Sequence, residues 1–166
     1  SVSVALLASL GYSVSASTGK PDADGFLKKI GASEVIERDA VNDKYGKPLL
    51  KETWTGAIDT VGGTTLATLL KACKGNGTVV ATGMVDSTNL PTTVFPFILR
   101  GVSLIGINSQ GTSMSIRQEI WSKLAGEWKP DGLESLAAEY TLEQLSPEID
   151  RILAGSQLGR VVVDLQ

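Results

Sequence analysis

Strand-like and helix-like segments alternate along most of this chain, and that alternation limits its fold more than any other feature. Residues 12–16 alternate in polarity as a strand does and stop at Ser17-Thr18-Gly19-Lys20. Residues 22–30 have helical spacing, with Phe26, Leu27 and Ile30 on one face and Lys28 and Lys29 outside. After Gly31, residues 34–37 read as a short strand around Val35 and Ile36. Residues 39–53 are polar, with Gly46 and Pro48 marking a loop followed by a short helical piece. Residues 57–61 read as a strand ending in Gly62-Gly63, and residues 64–74 as a helix with Leu66, Leu69, Leu70 and Cys73 inward. A turn at residues 75–77 leads to a buried strand over 78–82, a short apolar helix within 89–100 and a strand over 102–107. Such alternation implies the α/β class: a doubly wound parallel sheet with helices on both faces.

The flanks are helical. Residues 1–10 are small and apolar all round, as in a helix buried on several sides, and Gly11 is its stop. Residues 114–128 read as an amphipathic helix with Ile116, Ile120, Trp121 and Leu124 inward, residues 142–154 as another helix, and residues 160–165 as a closing strand. A dinucleotide fold opens with a strand and a glycine-rich turn before its first helix. This chain starts inside that helix, so the reading is the cofactor half of a longer enzyme. In the strand order 3-2-1-4-5-6 the opening strand lies mid-sheet. Either another segment then fills its place between the strands at Tyr12 and Ala57, residues 160–165 being the obvious donor, or a separate fragment or symmetry mate does.

Bulk properties exclude several functions. At 166 residues and 17.4 kDa the chain can bury a real core. Its net charge of -3 comes with no basic stripe, so no nucleic acid partner is expected. It has no histidine, which excludes Ser-His-Asp and Cys-His catalysis and imidazole-ligated zinc within the chain. The single cysteine, Cys73, is read as a buried small side chain, and a reducing cytoplasm is the expected location. Residues 2–10 lack the basic lead of a signal sequence, and no apolar run approaches the ~20 residues of a membrane span. A soluble protein with no membrane partner is expected.

The turn after residue 16 carries the sharpest chemical signal. An NAD site places a carboxylate there to grip the ribose 2′-hydroxyl. This chain offers Ser17, Thr18 and Lys20, with Arg38 at the end of the next strand. A carboxylate would repel a 2′-phosphate, whereas a lysine point charge and an arginine fork attract one. The residues point to NADP(H).

Four motifs together resemble the medium-chain dehydrogenase/reductases. They are Gly31-Ala-Ser-Glu-Val-Ile-Glu-Arg-Asp39, Gly56-Ala-Ile-Asp-Thr-Val-Gly62, Leu90-Pro-Thr-Thr-Val-Phe-Pro-Phe-Ile-Leu-Arg100 and Gly106-Ile-Asn-Ser109. The third is specific to the quinone-oxidoreductase-like branch that includes NADPH-dependent acryloyl-CoA reductases. The resemblance implies a Rossmann domain over residues 1–128, and residues 129–166 as a segment returning toward a GroES-like catalytic domain. It implies a homodimer formed through the sheet edge at residues 102–107, and no zinc.

The same resemblance implies the site residues. Ser1 and Val2 match the helix start that meets the pyrophosphate, and Ser17, Thr18 and Lys20 match the 2′-phosphate loop. Thr60, Gly83 and Met84 sit where parallel strands end, which is where such folds bind ligands. Leu90, Ile107, Asn108 and Ser109 match the nicotinamide-side contacts, Asn108 standing where an aspartate is frequent in this branch. Asp59 is read as a strand-end residue that orients neighbouring backbone rather than a catalytic acid. Trp54, Trp121 and Trp128 are read as packing residues. Tyr45-Gly46-Lys47 is not the Tyr-x-x-x-Lys pair of short-chain dehydrogenases.

The function expected is the cofactor-binding portion of an NADPH-dependent oxidoreductase that reduces an activated C=C bond or a quinone. Its substrate is a small molecule. No catalytic residue and no metal ligand is assigned, so the chain by itself is expected to be inactive. The alternative is a stand-alone nucleotide-binding or oligomerisation module.

Overall fold

The computed structural model describes residues 1–165. Its elements in chain order begin with α1 (Val2–Ser9), β1 (Ser15–Thr18), α2 (Ala23–Lys29) and β2 (Glu34–Glu37). A 3-10 helix, Arg38–Val41, precedes β3 (Trp54–Asp59), α3 (Gly63–Ala72), β4 (Cys73–Ala81), α4 (Phe95–Arg100) and β5 (Ser103–Gly106). Then come α5 (Met114–Ala125), β6 (Ala137–Thr141), α6 (Leu145–Leu153) and β7 (Arg160–Asp164). Among the described residues every strand pair is parallel, as the alternation of strands and helices requires. The chain forms two compact units, Ser1–Glu37 with the chain from Met114 onward, and Arg38–Ser113.

In the first unit β1 pairs with β2, from Ser15 opposite Glu34 to Thr18 opposite Glu37. The ladder begins later than residues 12–16 suggest because the end of α1 consumes the preceding backbone. Gly11 N–H bonds to the Ala8 carbonyl and Tyr12 N–H to that of Leu7, both at 3.0 Å, with Gly11 at φ +85°. Ala5, Ala16, Leu27, Ile30 and Leu136 form the core. Small residues there allow close approach: a Cβ on Gly31 would stand 2.4 Å from that of Ala8.

The helix α1 is less enclosed than residues 1–10 suggest. Within it only Ala5 is buried, and Val2 is 37% exposed. The strand β6 is absent from the sequence reading, since Ala-Ala-Glu-Tyr-Thr has little strand character. It forms because β7, with three successive valines, pairs with it along its whole length. That pairing overturns the choice of residues 160–165 as the donor to the place between the Tyr12 and Ala57 strands: among the described residues β7 bonds to β6 alone.

The helix α5 also departs from expectation. Its apolar stripe does not point into a core: Ile116, Ile120 and Trp121 are exposed, and no residue of the helix is buried. Lys123 sits 4.9 Å from the centre of the Trp128 ring, so Trp128 packs against a cation, and Trp121 is not a packing residue here.

In the second unit the order is β3-β4-β5. The core lies between this sheet and its helices, and Leu66, Leu70, Cys73, Val79 and Val102 form it. Residues 75–77 were expected as a turn between helix and strand. They lie inside β4 instead, as an irregularity: Trp54 faces Cys73 but Gly56 faces Thr78, and Asn76 takes φ +60°. The segment after Pro48 contains no helix, its short helical piece being Arg38–Val41, before the loop. No helix among the described residues is long and apolar enough to cross a membrane.

Candidate functional site

In the first unit, β1 ends in hydroxyls and a cation, not an acid. Ser17 is exposed, and the Thr18 side-chain oxygen accepts the Lys20 N–H at 3.1 Å, folding the turn back on the strand end. The Lys20 ammonium donates to the Gln157 carbonyl, a contact nothing in the sequence announces, because 137 residues separate the two. Lysine carries three donors, and this bond uses one. Ser1 is the N-cap of α1 without a side-chain capping bond, and Val2 is the first helical residue. Arg160 places a guanidinium nitrogen 3.5 Å from the Ser1 hydroxyl.

In the second unit, three parallel strands end side by side and carry the other residues to the same end of the sheet. Thr60 follows β3, Gly83 and Met84 follow β4, and Ile107, Asn108 and Ser109 follow β5. Ligands bind at this end of open α/β sheets. Two of the loops are tied together. Gly62 bridges to Ser87, and Asp86 N–H donates to the Val61 carbonyl at 2.9 Å. A side chain on Gly83 would put its Cβ 2.4 Å from the Thr60 carbonyl oxygen, so only glycine permits this approach. Met84 and Ile107 are 67% and 50% exposed, so two apolar side chains lie open at this end.

Asn108 is occupied locally. Its side-chain oxygen accepts the Gly111 N–H at 2.9 Å and its carbonyl the Thr112 hydroxyl at 2.8 Å, which closes the loop after β5. Leu90 lies outside the strand ends, on the segment before α4, and is 38% exposed. Arg38 is exposed and belongs to the second unit, directly after Glu37. The structure therefore groups Ser17, Thr18 and Lys20 in one unit, and Thr60, Gly83, Met84 and residues 107–109 in the other.

Two further residues shape the second unit's end. Asp59, 2% exposed, accepts N–H groups from its own loop. Ser87 was not singled out from the sequence, and only the fold brings it to Gly62. Cys73 is fully buried with its sulfur 4.0 Å from the Thr55 carbonyl, and burial pushes its thiol up from the ordinary range. It is structural. No cluster of three or more His, Cys, Asp or Glu that could hold a metal ion occurs among the described residues.

Comparison with known proteins finds the same fold. The acrylyl-CoA reductase AcuI of Ruegeria pomeroyi is 41% identical over 165 residues, covering 99% of this chain and 50% of AcuI. Bacillus subtilis YhfP, solved with NAD bound, superposes with a TM-score of 0.93 at 42% identity, over 99% of this chain and 50% of that one. Escherichia coli YhdH, solved with NADPH bound, gives a TM-score of 0.90 at 38% identity, over 98% of this chain and 50% of that one. The chain thus spans about half the length of the curated relatives it matches. The zinc-binding dehydrogenase family model matches residues 1–126. With more than two thirds of its length accounted for by that match, the chain belongs to the zinc-binding dehydrogenase family.

Proposed function

We propose that this chain is the NADP(H)-binding portion of an oxidoreductase that reduces an activated C=C bond, as in acryloyl-CoA or an enone, or a quinone. The observation that carries the cofactor assignment is the end of β1. Hydroxyls and the Lys20 ammonium stand where a bare ribose calls for an acid. Solved relatives carry NAD in one case and NADP or NADPH in two others, so the choice rests on this chain's own residues.

The residues fit the cofactor in two parts. Ser17, Thr18 and Lys20, with Arg38, would hold the 2′-phosphate, and Ser1 and Val2 at the start of α1 the pyrophosphate. Thr60, Gly83, Met84, Leu90 and residues 107–109 would hold the nicotinamide nucleotide. When bound, the cofactor supplies the hydride. The protein's part is to fix the ring and exclude water from it.

The donor set does not suit the metal of the family's name: there is no histidine, and the only cysteine is fully buried. No group in this chain is assigned to polarise a substrate, and we read the chain by itself as inactive. We take residues 1–128 as the cofactor domain and 129–166 as the segment leading toward the catalytic domain. The intact protein acts on a small molecule in the cytoplasm.

Turnover by the intact protein tests the activity. NADPH oxidation is expected with acryloyl-CoA or with simple quinones. Oxidation with neither, by protein shown to bind NADPH, contradicts the reaction class and favours a nucleotide-binding module without chemistry of its own.

A further inference from the structure

Asp59 ends β3 with its carboxylate turned into the protein, 2% exposed. None of the ion pairs among the described residues includes it. A buried carboxylate is costly unless its oxygens are filled by donors. Here the donors are backbone groups two and three residues further on. Oδ2 accepts the Gly62 N–H at 2.8 Å and Oδ1 the Val61 N–H at 3.3 Å. The side chain thus captures the loop that leaves its own strand.

That loop is held from the other side as well. The Asp59 carbonyl accepts the Thr82 N–H at 2.8 Å, and the Val61 carbonyl accepts the Asp86 N–H at 2.9 Å. Gly62 stands at φ +78° and ψ -159°, a conformation open only to glycine, and its Cβ would lie 2.4 Å from the Ser87 carbonyl oxygen. The ends of β3 and β4 are therefore zipped into one rigid lip, with Asp59 as its inner anchor.

We infer that Asp59 is a positioning residue for the nicotinamide half of the cofactor, acting through the backbone of Thr60, Val61 and Gly62. The inference rests on the dinucleotide reading above. In a fold built of two mononucleotide-binding halves, the half that carries the 2′-phosphate contact takes the adenosine. The ends of β3, β4 and β5 then take the nicotinamide nucleotide. Preorganised backbone at that end spares the cofactor the cost of ordering the loop when it binds. Removing the carboxylate loosens the lip and exposes that cost to one half of the ligand only.

The test uses the intact protein, with Asp59→Ala and Asp59→Asn compared with the unmodified chain. Equilibrium binding is measured for NADPH and for adenosine 2′,5′-bisphosphate, which carries the adenosine side but no nicotinamide. Asp59→Ala is expected to weaken NADPH by about ten-fold or more, with Asp59→Asn in between because an amide keeps one acceptor. The bisphosphate should stay within about two-fold in both, since it does not reach the loop. Equal weakening of both ligands shows a merely structural role and overturns the inference. So does unchanged NADPH affinity. If Asp59→Ala does not fold, Asp59→Asn carries the same comparison. An unmodified protein that binds neither ligand removes the dinucleotide reading itself, a result distinct from either of these.

Discussion

The buried ion pair in the second unit shows how far a single residue's surroundings decide its worth. Lys71 and Asp43 meet at 2.6 Å with side chains only 7% and 2% exposed. Lys44 and Asp39 form a pair almost as short, 2.7 Å, but with side chains 68% and 69% exposed. Solvent screens the second and not the first. The Lys71 ammonium, with backbone N–H groups of Tyr45 and Lys47, holds the Asp43 carboxyl below its ordinary range. A carboxyl lowered in this way stabilises the fold fully above its unfolded value, near about pH 4, and loses that contribution as the pH falls through the lower folded value. Acid unfolding should therefore steepen below about pH 4. Asp43→Asn should be less stable at neutral pH and lose that steepening, whereas Asp39→Asn should change little; chemical denaturation across pH reads both. None of this was legible in the sequence, where Asp43 and Lys71 are two charges among many. Arg100 was legible only as the last letter of a family motif. In the structure its guanidinium bonds the carbonyls of Lys71, Cys73 and Leu50 at 2.7–3.2 Å, which joins the end of α3 to the segment before β3.

At the level of elements, burial decides which parts of the pattern hold. In α3 the inward face reads true for Leu70, fully buried, and Leu66, 8% exposed, whereas the helix expected to run to residue 74 ends at Ala72 and the buried Cys73 opens β4. Leu70→Ala should cost about 2–5 kcal/mol, read as a lowered denaturation midpoint, because the site is closed on all sides. A cost under about 0.5 kcal/mol, the range of surface substitutions, would contradict that packing. Periodicity finds a helix but not its partner, and α5 shows the difference. Its spacing is helical and its stripe apolar, yet Trp121 is 69% exposed. The strands of the doubly wound pattern were legible because valine and isoleucine runs end at glycines, as at Gly62 and Gly83. Where the chain spends its hydrogen bonds elsewhere, as after α1, pattern alone placed β1 too early. The candidate site follows the same rule. Its strand-end positions could be read from alternation, while the ties to Ser87 and Gln157 depend on contacts distant in sequence.

For the whole molecule, the open edge of β5 and the cofactor assignment carry the main consequences. Among the described residues β5 bonds only to β4, and its Ile105 is 48% exposed, as is suited to pairing with a second copy. We expect the intact protein to be a homodimer through this edge, and Ile105→Lys to shift it toward monomer in sedimentation; an unchanged dimer would place the interface elsewhere. The central claim concerns the phosphate that separates NADPH from NADH. Hydrogen bonds to a charged group contribute about 1.5–3 kcal/mol each, and less where solvent screens them, so two partly screened cations should favour NADPH by about one to three orders of magnitude. Titration of the intact protein with both cofactors, alongside Lys20→Ala and Arg38→Ala, measures this directly. The account predicts tighter binding of NADPH, with the preference falling about ten-fold or more in each variant while NADH is hardly affected. Equal affinity for the two cofactors in the unmodified protein, or a preference that survives both substitutions, would contradict it.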